Sequence, residues 1–328
     1  MTPPRVTDAR ARRRARPRAA AASVGLVALV ALASASAACG GDDGAGDGDI
    51  DVSGLTYAPC PLASHVGGFD IILGDGFTAV QGQVFDAVTP SRVLEPLATD
   101  GACTWLRSPT LVCNPGCTGG QICGPGGTCI AAPVAQDVGT VTVAGLAAAV
   151  SMPARPPAYF YSFTGALPHP GFAAGAGMRL EADGLTLLGW GIEPLAVAGT
   201  TIGVQAGAAV PVSWTAPAQA GPARVELSLN VNGHGLVGSR VDCVVEDTGA
   251  FTIPEPLVTS LVADGLSGFP TLSIRRTTTD SARLGDRCVE LDVESAVTLD
   301  VTIPGLESCD GDEDCTPPAT CQPDLTCG

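Results

Sequence analysis

The clearest pattern in the chain lies between Arg224 and Val231, where Val225, Leu227, Leu229 and Val231 alternate with Arg224, Glu226, Ser228 and Asn230. A period of two, with one apolar and one polar side, marks a half-buried strand. Asn232-Gly233-His234-Gly235 follows and then Leu236 to Val245, so the stretch predicts a hairpin closed by a short Gly-rich loop. Val297, Leu299, Val301 and Ile303 repeat the alternation. Phe69–Leu73, Thr78–Phe85, Val138–Val143, Tyr159–Phe163 and Val210–Trp214 read as further short strands broken by Gly and Pro. Past the N-terminal segment no stretch holds a helical period over three turns, and Pro256–Ala263 predicts one short helix.

Strands punctuated by turn residues every ten or so positions predict an all-β fold of β-sandwich-type modules. The expected division is a small β unit over residues 55–133, a β-rich connecting region over 134–204 and a sandwich over 205–305. The last resembles an immunoglobulin-like domain in size, with Trp214 as its core aromatic. It departs from the antibody order, because Trp214 precedes both Cys243 and Cys288.

The N-terminus obeys a different rule. Seven arginines between Arg5 and Arg18 precede an uncharged run, Ala19 to Ala38, whose centre is VGLVALVALA. A basic flank, an apolar stretch and small residues after it predict a signal peptide over residues 1–38. Ser36-Ala37-Ala38-Cys39 resembles a bacterial lipobox, with Ser36 where a branched aliphatic is usual. The resemblance implies lipidation of Cys39, with palmitate among the acyl chains. Plain cleavage at the Ala-rich site and an uncleaved anchor are the alternatives. An acidic tether over residues 39–54 follows, opening GGDDGAGDGD.

Beyond the signal segment, ten arginines face thirty-two acids, a net charge of −22, and lysine is absent from the whole chain. So acidic a body repels phosphate backbones, which excludes nucleic acid as a partner, and it favours cations or cationic proteins. Without lysine there is no Walker A loop and no Schiff-base chemistry. Neither an H-E-x-x-H nor a G-x-S-x-G run occurs. His65, His169 and His234 all sit in loop-like text and read as solvated.

Thirteen cysteines less Cys39 leave an even twelve. Two wide pairs stand out by spacing, Cys60 with Cys103 and Cys243 with Cys288, and each is followed by a four-Cys block. The blocks span residues 113–129 and, within a C-terminal module over 306–328, residues 309–327. They resemble small four-Cys knobs of secreted proteins, which implies disulfides; zinc is the competing reading, disfavoured by five-residue gaps and by export. The expected bonds are Cys60–Cys103 and Cys243–Cys288. Four Cys allow three pairings, and spacing alone does not choose among them. The working choice is Cys113–Cys123 with Cys117–Cys129, and Cys309–Cys321 with Cys315–Cys327.

Alternate acids at Asp47, Asp49 and Asp51, and at Asp310, Asp312 and Asp314, have the oxygen spacing of a calcium loop. They lack its Gly and its terminal Glu, with Val52 or Cys315 at the sixth position and Ala58 or Cys321 at the twelfth. Asp310, Asp312 and Asp314 stay as weak calcium candidates, and no other cofactor is expected. The chain is similar to envelope lipoproteins of GC-rich Gram-negative bacteria. That resemblance implies a non-catalytic protein of the cell envelope, lipid-anchored on the periplasmic or outer surface, whose β modules serve binding, adhesion or envelope structure. The alternative is a secreted, glycosidase-like hydrolase with a carboxylate pair that no motif reveals.

Overall fold

Two strands organise the molecule. In the computed structural model, which describes residues 50–233 and 238–328, a hairpin of fourteen and sixteen residues runs through both hydrophobic cores. In chain order the strands are β1 (His65–Leu73), β2 (Thr78–Val84), β3 (Glu95–Asp100), β4 (Cys103–Arg107), β5 (Gln121–Cys123) and β6 (Cys129–Ala131). Then come β7 (Val141–Ala144), β8 (Val150–Met152), β9 (Tyr161–Ser162), β10 (Gly177–Ala182), β11 (Leu185–Trp190) and β12 (Thr201–Gly203). The rest are β13 (Val210–Ser213), β14 (Arg224–Asn230), β15 (Ser239–Glu246), β16 (Ala250–Ile253), β17 (Thr271–Leu284) and β18 (Arg287–Thr302), with one helix, α1 (Glu255–Asp264).

Ten of these strands form one sheet in the order β3-β4-β15-β14-β17-β18-β1-β2-β9, with β12 also paired to β18. Pairing is antiparallel except where β18 meets β1 and β12. A four-stranded sheet, β11-β10-β7-β8, covers one half of its inner face. The ribbon β13-β16 and α1 cover the other half.

The alternation of residues explains this layering. Leu272 and Ile274 of β17 and Val289, Leu291, Val293, Leu299 and Val301 of β18 are all buried. Along a strand such alternate positions share one face. The first core adds Phe69, Ile71, Val80, Met178, Leu180 and Leu187; the second adds Leu227, Leu229, Val241, Ile253, Val258 and Leu261. In α1, Leu257, Val258 and Leu261 are its buried residues, which is the spacing that lets one helical face meet a sheet.

Between the cores the inner face turns polar, and Arg276 is the centre of it. Its side chain is 2% exposed. Nε and Nη2 donate to the two Asp247 oxygens at 2.6 and 3.2 Å, Nη1 to the Glu193 and Pro194 carbonyls at 3.1 Å each, and Nη2 to the Thr215 carbonyl at 2.7 Å. A guanidinium has five donors, and here five acceptors meet them. Three loops are thereby tied to the middle of β17.

The all-β class and the disulfide modules of the sequence reading are present, but the partition is different. Residues 55–133 and 205–305 do not make separate modules: β1 to β4 and β14, β15, β17 and β18 share the large sheet. The sandwich expected at 205–305 therefore has its second layer partly supplied by residues 134–204, which provide all of β7, β8, β10 and β11. Trp214 is buried in the second core, and its Nε1 donates to Asp247 at 2.7 Å. The expected hairpin is β14–β15, and residues 234–237 at its tip lie outside the described residues. The tether also ends earlier than residue 54, since Val52 is already buried.

The wide disulfides are a correction. Cys60 bonds to Cys288 and Cys103 to Cys243; the expected Cys60–Cys103 and Cys243–Cys288 bonds do not form. Strand order is the cause. β1 lies parallel to β18, with His65 opposite Cys288, so the segment entering β1 carries Cys60 to the start of β18. Cys103 opens β4 and is directly opposite Cys243 on β15. Within the blocks the bonds are Cys113–Cys123, Cys117–Cys129, Cys309–Cys321 and Cys315–Cys327.

Candidate functional site: a carboxylate face and its cleft

The outer face of the large sheet carries the positions that the cores do not use, and on four adjacent strands, β14, β17, β18 and β1, these are charged. Glu226 of β14 is in register with Arg275 of β17. Asp292 of β18 lies beside Asp70 of β1 and opposite Thr279 of β17, and Asp70 is in turn opposite Gln81 of β2. Glu290 and Glu294 flank Asp292 at the same face of β18.

Arg275 is the cation of this array. Its Nη2 is 2.5 Å from Glu226 Oε2, and its Nη1 is 2.7 Å from Glu294 Oε2 and 3.6 Å from Asp292 Oδ2. The Tyr57 hydroxyl donates to Glu226 Oε1 at 2.8 Å. Thr279 Oγ1 donates to Asp292 Oδ1. Five carboxyl groups crowd one guanidinium, and burial weakens solvation of those left short of charge. Burial pushes Glu290 up to about 7 and Asp292 up to about 6, the latter against the pull of Arg275 and the Thr279 hydroxyl. Asp70 is raised as well, by burial first and by Glu294 second.

A strap formed by residues 50–64 is fastened to this face. β14 ends at the Arg224–Thr277 pair, which leaves the edge of β17 open beyond it, and the Ala58 amide donates to the Thr279 carbonyl there at 2.9 Å. The Cys60 amide donates to Glu290 Oε1, and the Cys60–Cys288 disulfide locks the contact. Glu290 Oε2 lies 3.2 Å from His65 Nε2. Burial lowers the His65 value, a backbone hydrogen bond with Gly67 opposes that, and Arg92 adds to the lowering.

Beside the strap lies a cleft of 260 Å³ lined by His65, Asp70, Arg92, Phe160, Glu290 and Asp292 among others. Its backbone floor depends on glycine. The β1–β18 register shifts between His65 and Gly68, and a Cβ on Gly67, whose φ is +118°, would lie 2.2 Å from the Gln83 carbonyl oxygen. A second cleft, of 190 Å³, is bordered by Trp190, Glu193, Gln219, Asp247 and Arg276. Its acids are committed: Asp247 to Arg276 and Trp214, and Glu193 Oε1 to the Ala218 amide at 2.9 Å. The third acid on its border, Glu246, pairs with Arg224 at 3.0 Å.

Of the residues singled out from sequence, few reach this site. His65 does, and it is half-buried against Glu290 rather than solvated. His169 is exposed, and His234 and Cys39 lie outside the described residues. Asp312 Oδ1 accepts from the Cys321 amide and Asp314 Oδ2 from the Asp310 amide, both at 2.9 Å. Among the described residues, Asp310, Asp312 and Asp314 do not converge as a ligand set; the Cys triples that do are already disulfide-bonded. Asp70, Arg275, Glu290 and Asp292 escaped sequence reasoning, although the E-x-D-x-E alternation of Glu290 to Glu294 was in plain view. No protein-family model matches the chain, and no curated protein matches it. Among the described residues no helix is long and apolar enough to cross a membrane.

Proposed function

We propose that this chain is a non-catalytic lipoprotein of the bacterial cell envelope, anchored through Cys39, whose β body acts as a binder. The observation that carries the reading is the commitment of the two most perturbed carboxyl groups. Glu290 accepts from the Cys60 amide with one oxygen and meets His65 with the other. Asp292 is engaged by Thr279 and Arg275. A general acid needs an oxygen within hydrogen-bond reach of the leaving group. These groups instead fasten the strap and neutralise Arg275. Six disulfides suit an exported, oxidising location, and the lipobox-like run supplies the anchor. The acidic balance favours a cationic ligand or partner.

The test assays wild type, Glu290→Gln and Asp292→Asn against chromogenic glycosides and esters. No turnover is expected from any of the three. Wild-type turnover that vanishes in either variant would make the glycosidase-like alternative correct. The anchor is tested separately: wild type takes up labelled palmitate, and Cys39→Ala does not.

A further inference from the structure

The 260 Å³ cleft offers more than acids. Glu290 and Asp292 on its floor are committed, but Asp70 is not served in the same way. Gln81 is the side chain that hydrogen-bonds to it, and the cation acting on it, Arg275, is shared with Glu226, Asp292 and Glu294. The cleft wall carries Arg92, which enters no ion pair among the described residues. On the rim is Phe160, 45% exposed, in a loop pinned where Gln83 Nε2 donates to the Ala158 carbonyl at 2.7 Å. One small cavity therefore holds a carboxyl group that shares its cation, an exposed guanidinium outside every ion pair of the described residues, and an aromatic ring.

We propose that this cleft binds a small zwitterion of the amino-acid or short-peptide class, its ammonium group at Asp70 and its carboxylate at Arg92. The inference rests on the reading of the protein as a binder and names the ligand. An ammonium brings three donors and a positive charge that Asp70, which shares Arg275 with three other carboxyl groups, would otherwise have only in part. Arg92 offers a carboxylate a two-pronged contact that lysine would not. The Phe160 ring faces a cation favourably. A plain amine would leave Arg92 unmatched, and a plain acid would meet two carboxyl groups. A volume of 260 Å³ equals about eight or nine waters at their liquid share, enough for an amino acid or a dipeptide.

The experiment is calorimetric titration of the detergent-solubilised protein with the twenty amino acids, dialanine, ethylamine and propionate. At least one amino acid or dialanine should bind, and ethylamine and propionate should bind at least about tenfold more weakly, a 1.4 kcal/mol difference. The dialanine arm separates free amino acids from peptides. Asp70→Asn and Arg92→Gln should each weaken binding at least about tenfold while melting close to wild type. Absence of any zwitterion binding tighter than about 1 mM, equal affinity for ethylamine, or unchanged binding in both variants would overturn the proposal. None of these results touches the reading as a binder, which fails only on turnover that depends on Glu290 or Asp292.

Discussion

Asp70 and Asp292 are register partners across the parallel pairing of β1 and β18, so two carboxyl groups stand side by side on one face of the sheet. Like charges placed opposite one another on adjacent strands destabilise the pairing. Asp292 rises to about 6, through burial first, with Glu226 and Asp70 adding to it.

This arrangement fixes a pH dependence. Glu290 and Asp292 have ordinary values of 4.5 and 3.8 and are raised to about 7 and about 6 in the folded protein. Between about pH 4 and 7 the folded state therefore holds more protons than the unfolded one, and stability falls as pH rises through that window. The melting temperature should be higher at the acid end of the window than above it. In Glu290→Gln, and in Asp292→Asn, the slope should be shallower. A melting temperature that climbs from pH 5 to pH 8 with the wild-type slope in both variants would refute this account.

Arg276 is the residue whose loss should hurt most. Replacing it by Met leaves Asp247, whose side chain is 6% exposed, buried beside Trp214 without its counter-charge. Breaking a buried pair from one side costs about 3–5 kcal/mol. The measurement is denaturant unfolding followed by Trp fluorescence. Replacing Asp247 by Leu in the same chain should recover part of the loss, because the stranded charge goes with it. A wild-type midpoint for Arg276→Met would contradict the role assigned to the guanidinium.

Non-reducing peptide mapping should recover Cys60–Cys288 and Cys103–Cys243. These bonds join residues 228 and 140 positions apart, and a loop-closure estimate puts each at about 5 kcal/mol of denatured-state entropy. The paired change Cys60→Ser with Cys288→Ser also frees the strap from one of its fastenings. It should raise hydrogen exchange at the Ala58 amide more than at the amides of β14. Peptides linking Cys60 to Cys103 would show that the strand order is different.

Much of this architecture was legible in the alternation of single strands. Arg224 to Val231 showed both faces of β14, and Pro256–Ala263 foretold α1 to within a residue at each end. What alternation does not encode is which strand lies next to which. The parallel pairing of β1 with β18 joins positions more than two hundred residues apart, and it decides the disulfides, the shared sheet and the carboxylate face together. Glu290, Asp292 and Glu294 give no signal of their own in the sequence, because a polar strand face looks the same whether water or a strap covers it. Arg276 was hidden for the reverse reason: it occupies an inward position of β17, where the pattern calls for an apolar residue.

The acids of the last block are a final case in which the structure assigns a role other than the one their spacing suggests. Asp312 lies in the turn after Cys309, and its carboxylate accepts the Cys321 amide across the block, while Asp314 accepts the Asp310 amide. Both act as backbone acceptors in a segment too short to bury a core, where each such bond adds to what the two disulfides hold. Asp312→Ala should lower protection of the Cys321 amide from hydrogen exchange by up to about tenfold, the equivalent of a bond worth about 0.5–1.5 kcal/mol. Asp312→Asn keeps an oxygen in place and should preserve most of that protection. Calcium at millimolar concentration should leave the melting temperature of the wild-type protein unchanged, since one oxygen each of Asp312 and Asp314 is turned onto the backbone and the three acids do not converge. A calcium-dependent rise in melting temperature that disappears in Asp312→Asn would instead make the block an ion site.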